Sequence, residues 1–237
     1  MRLLVTRPEP DASAFAEELR GLGHEAVLQP LLQFRVLDFD LAPLRAAEIL
    51  IITSGNSLRA LQERGGIEGI LGKPLYCVGE QTAKRALAVG FETVLAMAET
   101  GEELAGKIIA SGRKDALLVH IMGEHMAFDI AAALASKGFS VQSVTVYAME
   151  ACREFSARVG EMLKAGEVDG VILMSPRTAE IYVSLCHRHG IADRAKSLSY
   201  ICLSENVAAK LAPLKPDRIR VAAKPNRKAL LELLLHH

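Results

Sequence analysis

At 237 residues the chain is long enough for two modest domains, and with half of its residues hydrophobic it can bury two cores. Lys and Arg together number 28, as do Asp and Glu, so no net field draws the protein to nucleic acid or an anionic membrane. No stretch approaches the roughly 18 unbroken apolar residues of a membrane span. Met1-Arg2 also runs straight into Leu3-Leu4-Val5 without the features of a secretory signal, so a cytoplasmic protein is expected.

Short apolar runs alternate with helical stretches along the chain. Strands are predicted to begin at Arg2, Glu25, Glu48, Leu75, Thr93, Ala116, Val141, Gly170, Ser199 and Arg218. Helices are predicted over Ala12–Leu22, Ser57–Arg64, Thr82–Val89 and Glu102–Ala110, among others. The runs are continuous rather than alternating, which is the pattern of strands covered on both faces. Strand and helix in alternation imply parallel sheets with right-handed crossovers.

The second half repeats the first. Leu3-Leu4-Val5-Thr6-Arg7 answers to Leu117-Leu118-Val119-His120-Ile121, and Ile49–Ser54 to Val171–Ser175. Tyr76-Cys77-Val78-Gly79-Glu80-Gln81-Thr82-Ala83 answers to Ile201-Cys202-Leu203-Ser204-Glu205-Asn206-Val207-Ala208, and Glu102–Ala105 to Lys228–Leu231. The order is kept throughout, as in a duplicated unit. The expected fold is therefore α/β, with two flavodoxin-like domains, each a five-stranded parallel sheet flanked by helices. A ligand is expected in the cleft between the domains.

Open parallel sheets bind beyond the carboxyl ends of their strands, where helix N-termini converge. The sequence places small and polar residues there: Thr6-Arg7-Pro8, Ser54-Gly55-Asn56, Gly79 through Thr82, Gly123, Ser175-Pro176-Arg177, and Ser204 with Asn206. A Ser, Thr or Asn at any one turn does no more than cap a helix. Together they offer several exposed sets of backbone N–H groups for carboxylates or phosphates, and Arg7 and Arg177 can grip a carboxylate bidentately. Glu80 and Glu205 suit a first helical turn but repel an anion placed too close.

Other chemistries are not supported. Gly21-Leu22-Gly23-His24-Glu25-Ala26 spells GxGxxA, but it closes a helix and precedes a strand, the reverse of a dinucleotide fingerprint. There is no P-loop. His120 with His125, and His187 with His189, lack metal-site spacing, so no metal is expected. Ser54 and Ser175 lie outside GxSxG elbows. Cys77 and Cys202 fall in apolar runs, as buried free thiols do. No cofactor is expected.

These residues resemble the uroporphyrinogen-III synthase family. The resemblance rests on Val5-Thr6-Arg7-Pro8, Gly23–Val27 through Pro30-Leu31, Ile52-Thr53-Ser54, Val78-Gly79 with Thr82-Ala83, Val144-Thr145-Val146-Tyr147 and Met174-Ser175-Pro176-Arg177, in that order over nearly the whole chain. It implies interleaved domains, 1–34 with 152–237 and 37–149, joined by a hinge near Gln33–Leu37 and Tyr147–Ala151. It also implies the reaction: hydroxymethylbilane, a linear tetrapyrrole bearing carboxylate arms, closes to uroporphyrinogen III by way of an azafulvene and a spiro intermediate, inverting the last ring and losing water. The enzyme is expected to act as a lyase and as a monomer, with no nucleic-acid or membrane partner.

The resemblance implies that Tyr147 assists hydroxide departure, and that Thr82 and Ser175 are hydroxyl donors to substrate carboxylates. Two positions depart from the family pattern, since Ser204 and Val207 stand where it usually has glycine and threonine. They leave open a non-catalytic binder of a polycarboxylate metabolite, or a degenerate relative. A nucleotide-using α/β enzyme with a split sheet is a further alternative, without a phosphate-loop signal.

Overall fold

The computed structural model describes residues 1–235, so the end of the expected domain 152–237, His236 and His237, lies outside the described residues. The chain forms two compact units, Met1–Phe34 with the segment from Glu150 onward, and Arg35–Met149.

Eleven strands and eleven α-helices succeed one another among the described residues. The first part of the chain forms β1 (Arg2–Val5), α1 (Asp11–Gly21), β2 (Glu25–Leu28), β3 (Leu32–Val36), α2 (Ala42–Ala46), β4 (Ile49–Ile52) and α3 (Gly55–Arg64). There follow β5 (Leu75–Val78), α4 (Glu80–Val89), β6 (Val94–Ala98), α5 (Gly101–Ser111), β7 (Leu117–Gly123), α6 (Ile130–Ala135) and β8 (Ser140–Ala151). The remainder is α7 (Ala157–Ala165), β9 (Gly170–Leu173), α8 (Pro176–Arg188), α9 (Ala192–Lys196), β10 (Ser199–Cys202), α10 (Glu205–Ala209), β11 (Arg218–Val221) and α11 (Arg227–Glu232).

The first unit holds a five-stranded sheet in the order β2-β1-β9-β10-β11, with every neighbouring pair parallel. The second sheet has six strands, in the order β6-β5-β4-β7-β8-β3. The sequence leads to five strands in each sheet, and β3 is the addition. Leu32-Gln33-Phe34-Arg35-Val36 alternates apolar and polar residues, so it lacks the continuous run that marks the other strands. It lies at the sheet edge beside β8. Cys152 N–H donates to the Leu31 carbonyl and Leu37 N–H to the Val146 carbonyl, so these two strands run antiparallel.

The sequence repeat explains the topology. Its correspondence sets β1 and β2 against β7 and β8, and β4, β5, β6 against β9, β10, β11. The two spatial orders then coincide, β2-β1-β9-β10-β11 and β8-β7-β4-β5-β6. Leaving aside β3, which has no counterpart in the repeat, each sheet takes two strands from one copy and three from the other, so the copies have exchanged strands reciprocally.

Strand composition follows sheet position. The inner strands β4 (ILII) and β9 (GVIL) are buried at every residue. The edge strand β11 (RIRV) keeps its arginines and remains partly exposed, which discourages pairing with another chain. The helices cover the sheets with one apolar face each. On α1, Ala12, Phe15, Ala16 and Leu19 recur at helical spacing and are buried, and Ala12, Phe15 and Leu19 share a core with Leu3 and Val5. Burying Phe15 alone contributes about 1.5–3 kcal/mol. The GxGxxA stretch ends α1, with Gly23 at φ +81° turning the chain into β2. Among the described residues, no helix is long and apolar enough to cross a membrane.

Candidate functional site

In a doubly wound sheet the binding crevice opens where the strand order reverses, beyond the carboxyl ends. In the first unit that point is the pairing of β1 with β9, and in the second the pairing of β4 with β7. Thr6, Arg7, Ser175, Pro176 and Arg177 follow directly on β1 and β9, with Ser204 and Asn206 one strand further out after β10. In the second unit Ser54, Gly55 and Asn56 follow β4, Gly123 closes β7, Tyr147 lies beside it on β8, and Gly79 and Thr82 follow β5. All the candidates therefore stand at the same edge of their own sheet.

The side chains of the first unit differ in what remains available. The Thr6 hydroxyl is buried and donates to the Ile172 carbonyl at 2.8 Å, so it holds β1 to β9 rather than facing a ligand. Arg7 pairs with Asp11 at 2.5 Å and reaches the Met174 sulfur at 3.1 Å; a bound carboxylate would compete with Asp11. Ser175 caps α8, accepting from Thr178 N–H at 3.1 Å, with its hydroxyl 2.9 Å from that of Thr178 and Pro176 opening the helix. Arg177 is half-buried and Asn206 exposed.

In the second unit Ser54 caps α3 by accepting from Asn56 N–H at 3.2 Å. The Asn56 amide lies 3.8 Å from the Met149 sulfur. Gly55 is covered by a residue that sequence reading does not single out. The Arg85 guanidinium of α4 lies so close that a Cβ on Gly55 would sit 2.7 Å from its Nη1. Arg85 is exposed and, among the described residues, forms no ion pair, so it brings a free positive charge to the start of α3. Its signal in the sequence, one arginine on an amphipathic helix, is not distinctive.

Gly79 has φ +81°, a conformation that favours glycine, and its N–H donates to the Ala98 carbonyl at 2.8 Å. Thr82 is 8% exposed and lies on the packed face of α4. Glu80 pairs instead with Lys84 at 2.7 Å, and that hydrogen bond holds its carboxyl below the usual range.

Tyr147 is mostly buried, and its ring lies directly against Gly123, its register partner across β7 and β8. His120, on β7, is 1% exposed with Nε2 3.2 Å from the Thr53 hydroxyl. Burial brings its pKa down to about 4, against an opposing pull from Asp129, so the ring is neutral near pH 7. Cys77 and Cys202 are buried, and burial raises both thiols to about 12, which makes them poor nucleophiles. A cavity of about 570 Å³ opens at the opposite edge of the five-stranded sheet, lined by Met1, Asp169, Ser199 and Arg218 among others. It lies at the amino ends of these strands, away from the candidates that follow β1, β9 and β10 in the same unit.

The sequence pattern of the family described as uroporphyrinogen-III synthase HemD matches residues 13–232. The chain belongs to the uroporphyrinogen-III synthase family. It is therefore an enzyme of tetrapyrrole biosynthesis. A comparison with curated protein sequences gives no match. Among solved structures, the uroporphyrinogen-III synthetase of Helicobacter pylori is 19% identical, with a TM-score of 0.67 over 99% of this chain and 97% of that one. A mutant uroporphyrinogen III synthase from the extremely thermophilic bacterium Thermus thermophilus is 16% identical, with a TM-score of 0.58 over 98% and 96%. At these identities the structural likeness speaks to the fold.

The two departures from the synthase pattern have local explanations. Gly79 needs its positive φ, whereas Ser204 is extended at φ −158°, a conformation any residue adopts. Val207 is 1% exposed on the inner face of α10, as Thr82 is nearly buried on α4. An apolar side chain fits there without removing an exposed donor.

Proposed function

We propose that this synthase acts as a lyase on hydroxymethylbilane and that Tyr147 assists departure of the hydroxide. The pyrrole nitrogen supplies the electron pair that expels the hydroxide. The Tyr147 phenol donates a hydrogen bond or proton to it, leaving an azafulvene. The last ring attacks through its substituted carbon to form a spiro centre, which fragments and recloses on the other side. Loss of a ring proton restores aromaticity, and the net change is loss of water.

Without control the chain closes to the uninverted isomer, so the protein's task is chiefly orientation. The observation that supports this reading most is the common placement of the capped helix starts at Ser54 and Ser175 with Arg7 and Arg85 at strand carboxyl ends. Such groups hold carboxylate arms without a net positive protein. In this reading the turns at Ser54-Gly55-Asn56, Ser175-Pro176-Arg177 and Ser204 to Asn206, and the helix start that follows Gly79, offer mainly backbone N–H groups, the N–H of Gly79 itself being held by the Ala98 carbonyl. Thr82, with its side chain largely inside, contributes less than the sequence resemblance implies. The enzyme works as a monomer in the cytoplasm.

Binding tests the recognition step. The melting temperature should rise with uroporphyrinogen III and stay unchanged with adenine dinucleotides. The reverse result would favour a nucleotide-using enzyme.

A further inference from the structure

Tyr147 and Gly123 face each other across β8 and β7, at a shift in register after Met122. A Cβ built on Gly123 would lie 2.8 Å from both Cε2 and Oη of Tyr147, and nearer still to Cζ, where ordinary contact begins at 3.4 Å. The hydroxyl end of the ring therefore occupies the space that any other residue's side chain would fill. Gly123 has no positive φ to explain a glycine there, so the requirement comes from the ring and not from the backbone. The strand edge is pinned at the same point, because Glu124 N–H donates to the Tyr147 carbonyl at 2.9 Å.

We propose that Gly123 is a positioning residue for the reaction, a side-chain-free seat that sets where the Tyr147 hydroxyl stands. This rests on the catalytic reading of Tyr147 and replaces the expectation that Gly123 itself contacts substrate. A methyl group there displaces the phenol by roughly 1 Å, and a misplacement of that size costs on the order of 100-fold when it moves a catalytic group.

The test is a double-mutant cycle on conversion of hydroxymethylbilane, with formation of isomer III followed in Gly123→Ala, Tyr147→Phe and the double variant. Gly123→Ala should lower kcat about 10- to 100-fold with KM within about two-fold. The double variant should be no slower than Tyr147→Phe alone, because the displaced ring no longer carries the hydroxyl.

A Gly123→Ala enzyme with wild-type kcat beside a slow Tyr147→Phe would overturn the seat alone. So would a raised KM at constant kcat, or penalties that multiply. Wild-type turnover by Tyr147→Phe would overturn the role of the phenol and the seat with it. If Gly123→Ala fails to fold, Gly123→Ala combined with Tyr147→Ala decides, since emptying the ring's space should restore folding. A folding defect that persists without the ring would contradict the proposal.

Discussion

The hydroxyl of Thr6 donates to the carbonyl oxygen of Ile172 at 2.8 Å, joining the end of β1 to β9. These strands come from different copies of the sequence repeat, so the bond crosses the seam of the exchange. Thr6→Val keeps the shape and removes the donor, leaving a buried carbonyl short of one partner. The expected loss is about 1–3 kcal/mol of stability, measured by urea or thermal unfolding. An unchanged unfolding midpoint would show that the hydroxyl is not needed at the seam.

At the equivalent point of the second sheet, His120 meets the Thr53 hydroxyl across β7 and β4. Its folded pKa of about 4 lies below the ordinary 6.5, so the unfolded chain binds the extra proton first. The contribution to stability is complete above pH 6.5 and is lost as pH falls from there toward 4. Between pH 7 and pH 5 the loss is about 2 kcal/mol, and His120→Gln should remove that part of the slope. Equal slopes in the two proteins would contradict it.

Gly79 and Ser204 occupy equivalent repeat positions with different backbones. Gly79→Ala forces a side chain into φ +81° and should cost about 1–2 kcal/mol. Ser204→Ala, in an extended conformation and without a capping bond, should change stability by less than about 0.5 kcal/mol. Chemical denaturation of both variants compares them directly.

Arg85 carries its charge to the start of α3 on a flexible, exposed arm. Arg85→Ala should raise KM for hydroxymethylbilane about five-fold, with kcat and melting temperature nearly unchanged, as for a group that binds substrate and transition state alike. Steady-state kinetics at low and moderate salt check this. The effect should shrink as salt screens the charge.

The inner strands were legible in the sequence because a fully covered strand must be apolar throughout, as in Ile49–Ile52 and Gly170–Leu173. The repeat carried the equivalence of the strands, but not their order in space or their exchange between the sheets, because similarity between two segments does not record which neighbours each one pairs with. The edge strand β3 was not legible, because one exposed face gives it the alternation of a loop-like segment. At the site, turn residues such as Ser54 and Ser175 could be placed from capping chemistry alone. The inward commitment of Thr6 could not, since a hydroxyl at a strand end reads the same whether it faces a ligand or a neighbouring carbonyl. Arg85 and the Gly123 seat depend on which residues meet across helices or strands, and no single segment records that.

The most direct measurement is the isomer composition formed when the purified protein meets freshly generated hydroxymethylbilane. A synthase yields uroporphyrinogen III as the dominant product, faster than spontaneous closure. A mixture dominated by the uninverted isomer, as in the absence of enzyme, would contradict the account.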